Sequence, residues 1–156
     1  MKTLKDRNDY KEFVNANSKY KEDMATILQK LTLSYDEEEI RKISGFFIGL
    51  NENGLFDLVH RKMFVTYLGE AFIERYGGEW FYGKFEKDKN AFNEPIVTKF
   101  KNEGIRFCPM EHIASILESK NTNEFNETMV YMAEMRAKTE NVFSELFPKK
   151  KRKSKN

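Results

Sequence analysis

Residues Tyr76–Phe100 read YGGEWFYGKFEKDKNAFNEPIVTKF. Upstream of the Gly77–Gly78 pair, apolar residues recur at helical spacing; downstream of it they alternate. The glycines therefore end a helix, and Trp80 opens a sheet. The segments EWFYGKFE, EPIVTKFK and IRFC are short, aromatic and β-branched, and KDKNAFN and NEG between them have turn chemistry. This predicts a three-stranded antiparallel sheet over about 79–108. Strict alternation places Phe81, Phe85, Ile96, Phe100, Ile105 and Phe107 on one face, and Trp80, Tyr82, Lys84, Val97, Lys99, Lys101 and Arg106 on the other.

Helices flank this sheet. Tyr10, Phe13, Val14, Tyr20, Met24, Ile27, Leu28 and Leu31 recur largely at three- and four-residue spacing and predict one apolar stripe on a first helix over about 8–31. In SYDEEEIRKI, Ser34 and Glu37 have the spacing of a capping box, and Asp36–Glu39 place negative charge at the positive end of a second helix. The turn NENG (51–54) closes it. A long helix from Leu55 to Tyr76 is apolar on more than one side and is expected to be the most buried. Gly69 within it marks a close approach by a neighbour. Pro109 opens a further helix, PMEHIASILES, and a last one runs from about Glu124 to Phe147. The fold class expected is α+β, mostly helical, with the small sheet packed by N- and C-terminal helices.

The chain has 156 residues, 40% of them hydrophobic and 14% aromatic, which suits one core and is short for two ordinary domains. Residues 1–148 are therefore expected to form a single α+β domain. The run KKKRKSKN (149–156) holds six of the 27 Lys and Arg residues, leaving 21 against 25 Asp and Glu, a balance of −4 for the body. Such a run repels itself and predicts a disordered basic tail. No apolar block has the length of a membrane span or a signal peptide, and Cys108 is the single cysteine, so a soluble cytoplasmic protein is expected.

The order of landmarks in Leu68–Ser119, a helix (LGEAFIERY), Gly78-x-Trp80, strands, Phe107-x-Pro109 and a helix, resembles uncharacterised small bacterial α+β proteins with a helix, Gly-x-Trp, three-strand, Phe-x-Pro and helix order. Some of those are associated with toxin–immunity or interaction roles. The resemblance covers about a third of the chain, and its landmarks, Gly69, Gly78, Trp80, Phe107 and Pro109, are structural. It implies a fold and an interaction role, and it carries over no catalytic residue.

Chemistry-bearing residues are sparse. His60, His112 and Cys108 are the only His and Cys residues, and Cys108-x3-His112 lacks the further ligands of a metal site, so a buried thiol and a surface histidine are expected, with no metal and no cofactor. Glu70 and Glu74 lie one helical turn apart and read as a solvated flank, with acid–base work the alternative. Two functional readings result. The first is a non-enzymatic intracellular protein-binding module, an immunity-type or regulatory protein that blocks a partner, with Asp36, Glu37, Glu38 and Glu39 as a candidate acidic patch. The second is a nucleic-acid-associated protein that stacks bases on Trp80 and Tyr82 and holds phosphates with Lys84, Lys99, Lys101 and Arg106. Lys149, Lys150, Lys151, Arg152, Lys153 and Lys155 would anchor it. The readings separate on whether the Trp80/Tyr82 face is bare or covered by helices, and coverage is expected because this much helix can cover both faces.

Overall fold

The computed structural model describes residues 1–100 and 105–146, with side chains except at 136, 137 and 139–144. Among the described residues five helices and a small antiparallel sheet follow one another in the order α1 (Arg7–Ile27), α2 (Glu37–Glu52), α3 (Leu58–Tyr76), β1 (Glu79–Tyr82), β2 (Pro95–Thr98), α4 (Pro109–Ser119) and α5 (Glu124–Leu146). The α+β class is as expected. Lys101 and the basic run at 149–156 lie outside the described residues. Among the described residues no helix is long and apolar enough to cross a membrane.

The helix α3 is the hub. Phe64, Val65, Tyr67, Leu68 and Phe72 are wholly buried in it, because α1, α2 and α4 pack on different sides of it. Phe47 of α2 stacks on Phe64 with ring centroids 4.6 Å apart, and Phe107 stacks on Phe72 at 4.1 Å. Ile113 and Ile116 of α4 and Phe125 and Met129 of α5 complete the same core.

Several boundaries differ from expectation. The cap of α2 is Asp36, whose carboxylate accepts from the Glu39 N–H at 2.8 Å, and not Ser34 with Glu37. Tyr35 has a φ of +55°, so the chain turns after Ser34 and enters the helix two residues later. The helix α3 begins at Leu58 because Asp57 caps it, accepting from the His60 N–H at 3.0 Å while His60 Nδ1 accepts from the Asp57 N–H. The helix α1 stops at Ile27, and Leu31 beyond it is fully exposed. The close approach at Gly69 is real: a Cβ there would lie 2.0 Å from Cη2 and 2.3 Å from Cζ2 of Trp80, far inside contact distance.

Among the described residues the sheet has two strands where three were expected. Trp80 pairs with Val97 and Phe81 with Ile96. The segment around Phe107 adds only one bridge to Val97, through N–H···O bonds of 2.8 and 2.9 Å. The ladder cannot continue past it, because Cys108 is already the N-cap of α4 and Pro109 has no N–H to give. The expected sorting of faces holds for Trp80, Tyr82 and Val97 against Phe81, Phe85, Ile96 and Ile105, and fails for Phe100, Phe107, Lys84, Lys99 and Arg106. Lys99 has a φ of +58°, which breaks the alternation after Thr98 and turns Phe100 inward onto Phe72, 4.8 Å away. Phe100 and Phe107 therefore join Trp80, Tyr82 and Val97 on the helix side. Phe81, Phe85, Ile96 and Ile105 line the outer side, together with Lys99 and Arg106.

Candidate functional site

Trp80 sets the orientation of the sheet. Its ring fills the gap that Gly69 leaves on α3, meets Phe13 of α1 edge-on at 5.4 Å, and its Nε1–H donates to Glu70 Oε1 at 2.9 Å. Tyr82 lies beside Tyr10 of α1 at 5.8 Å, and its hydroxyl donates to Asn93. Both rings are thus under α1, and Glu70 is engaged by the indole. Because side chains alternate, Phe81 must point the other way.

On that outer side a cleft of about 470 Å³ opens between Phe81, Phe85, Ile96 and Ile105. Phe81, Phe85 and Ile105 are 37%, 68% and 46% exposed, a contiguous apolar surface where isolated exposed residues would be ordinary. Lys84 Nζ sits 5.8 Å from the Phe81 ring and 5.3 Å from the Phe85 ring, a cation over aromatic faces. Lys99 pairs with Glu79 at 3.2 Å.

Arg106 forms the rigid wall of the cleft. Its Nε and Nη2 donate to the two oxygens of Asp88 at 2.6 and 2.8 Å, and its Nη1 and Nη2 donate to those of Glu111 at 2.8 and 2.9 Å. These hydrogen bonds hold the carboxyls of Asp88 and Glu111 below their ordinary values, and the guanidinium stays charged. The clamp ties the β1–β2 loop to α4 and leaves Arg106 with two carboxylates already on it. It fixes the cleft wall and offers a phosphate little.

The acidic group at the start of α2 is not one surface. Glu39, expected there, is 1% exposed and points inward. Its Oε2 accepts from Lys30 Nζ, the Ser34 N–H and the Ser34 hydroxyl, and its Oε1 from the Tyr35 N–H and the Tyr67 hydroxyl, at 2.8–3.0 Å. Burial alone would raise its pKa, but these donors outweigh it and hold the carboxyl down at about 2. Asp36 is occupied as the cap. Glu37 and Glu38 remain exposed, 3.9 Å from Arg41 and 3.2 Å from Lys42.

Cys108 is buried, as expected, and burial pushes its thiol up to about 11, which leaves no thiolate at neutral pH. His112 is not a surface residue. It stacks on Phe107 at 5.0 Å and meets Phe125 edge-on, and burial lowers its pKa. Among the described residues no three His, Cys, Asp or Glu side chains converge where a metal ion would sit.

The apolar outer face was not singled out from sequence, although its signal was present. Once Gly69 is read as the seat of Trp80, alternation turns Phe81 outward. Comparison of the chain with protein-family models, with curated proteins and with solved structures finds no match in any of the three.

Proposed function

We propose that this chain is a non-enzymatic protein-binding module that blocks a partner through the outer face of its sheet, in the manner of an immunity-type or regulatory protein. The observation that carries the reading is the apolar cleft of Phe81, Phe85, Ile96 and Ile105, left open beside a rigid Arg106 clamp. Such a surface costs free energy in water and gains it back when a partner's apolar side chain fills the cleft. Lys84 at its rim favours a partner that brings carboxylates. The nucleic-acid reading has less support, because Trp80 and Tyr82 pack beneath α1, Lys99 is paired with Glu79, and Arg106 is doubly paired.

The test compares the full chain with a Phe85→Ser/Ile105→Ser variant, each immobilised and exposed to lysate of the source cells. Both positions are exposed, so the variant is expected to melt like the wild type. A discrete protein held by the wild type and lost by the variant is the expected result. Identical retention by both, with folding intact, rules the cleft out as the binding surface.

A further inference from the structure

Among the described residues the edge of β1 is open, and its hydrogen-bond pattern gives the occupant. In an antiparallel pair, successive residues alternately direct their N–H and C=O groups toward the partner strand and away from it. Val97 spends both of its main-chain groups on Phe107, on the side of β2 opposite β1. Its β1 neighbour Trp80 therefore belongs to a pair that is not hydrogen-bonded. Gly83 confirms the phase, since its N–H donates to Glu94 O at 2.9 Å. Trp80 and Tyr82 consequently point their N–H and C=O groups outward. No described residue takes them, and groups of this kind must meet water or another chain.

The surroundings of this edge are chemically one-sided. On the helix side, the Arg7 guanidinium lies 5.8 Å from the Tyr82 ring. Val14, seven residues on and so on the same flank of α1, is 40% exposed. On the outer side stand Phe81 and Lys84. Neither Arg7 nor Lys84 is ion-paired among the described residues. A strand added here would meet an apolar residue and an unpaired cation on each of its two faces.

We infer that β1 receives an extended segment of a partner protein, carrying both acidic and apolar residues, which pairs with the main chain of Trp80 and Tyr82 as an additional strand. The inference rests on the protein-binding reading and names its mode. A second copy of this chain is a poorer occupant. Tyr10 and Phe13 place α1 over the inner face of β1, and joining two β1 edges would bring two α1 helices to about one strand spacing, ~4.8 Å, where packed helices need roughly 8–10 Å. A lone extended segment brings no helix.

Amide hydrogen exchange on the full chain provides the test, with a short capped peptide of alternating glutamate and valine as the probe. In the free protein the Trp80 and Tyr82 amides are expected to exchange faster than the Phe81 amide. Saturating peptide should slow both by about tenfold or more. The same peptide N-methylated at alternate amides, in both phases, should lose binding in one phase. Lys84→Glu and Arg7→Glu should weaken the acidic peptide and strengthen a lysine–valine peptide. Trp80 and Tyr82 amides already as slow as Phe81 would overturn the proposal, as would no protection at millimolar peptide. Equal binding of both N-methylated peptides would overturn it as well, and so would a sedimenting dimer that protects these amides without peptide. If the edge fails while lysate capture still depends on Phe85 and Ile105, only the strand-addition mode falls. If capture fails too, the protein-binding reading falls with it.

Discussion

Two buried carboxylates show how much a single residue depends on its surroundings. Glu39 is held at about 2, below its ordinary 4.5, so its contribution to stability is complete above pH 4.5 and is lost as pH falls from there toward 2. At neutral pH this amounts to roughly 3 kcal/mol. Glu39→Gln is therefore expected to destabilise by about that much at pH 7 and to narrow its deficit near pH 3, as denaturant titrations at the two pH values would register. Glu94 has the opposite sign. It is 1% exposed, its Oε1 accepts from the Thr3 N–H at 3.1 Å, its Oε2 has no partner, and burial raises its pKa. Its contribution is largest below pH 4.5 and declines as pH rises through the elevated folded value. Glu94→Gln should consequently be neutral or stabilising at pH 7; a large loss in the same titration would contradict this account.

At the scale of elements, the docking of β1 on α3 rests on one complementary pair, a missing side chain at Gly69 and the indole of Trp80. Trp80→Ala removes a large, half-buried ring and leaves a cavity between α1, α3 and the sheet, so a loss of roughly 3–5 kcal/mol is expected. Gly69→Ala should also destabilise, because the new methyl occupies the ring's position and helix propensity gains only about 1 kcal/mol in return. The two sites should couple. In Trp80→Ala, the Gly69→Ala change is expected to become neutral or stabilising, and a double-mutant cycle by thermal melts would measure that reversal. Additive losses would mean that the ring can relocate without cost.

For the whole molecule, charge is the quantity that spacing leaves open. The body at 1–148 balances 21 cations against 25 carboxylates, and six further cations follow. On sequence grounds the chain cut after Pro148 should melt with the full chain, since the removed run has no apolar residue to bury. It should also bind no duplex DNA or single-stranded RNA at about 150 mM salt, where exposed charges are screened beyond roughly 8 Å. Anisotropy titrations of both chains would decide this. Salt-resistant micromolar binding by 1–148 would revive the nucleic-acid reading despite the covered rings.

Local rules made the helices, the turn at Gly77, the proline start of α4 and the α+β class readable from sequence, because each depends on residues within a turn or two. Gly69 even announced a close contact before its partner was known. What local rules could not reach was the direction in which each strand faces. Alternation gives two sets of residues but not which set is buried, and that choice fell to Trp80 meeting the gap at Gly69, ten and more residues away along the chain. The positive φ at Lys99 then moved Phe100 from one set to the other, and among the described residues Phe107 adds one bridge where a third strand was expected. Glu39 looked like part of an acidic surface for the same reason: its helix position was local, while the five donors that draw it inward come from the loop between α1 and α2 and from Tyr67 of α3. Periodicity and capping belong to the sequence alone. Which face is covered, and which carboxylate is buried, depend on partners that only the folded chain brings together.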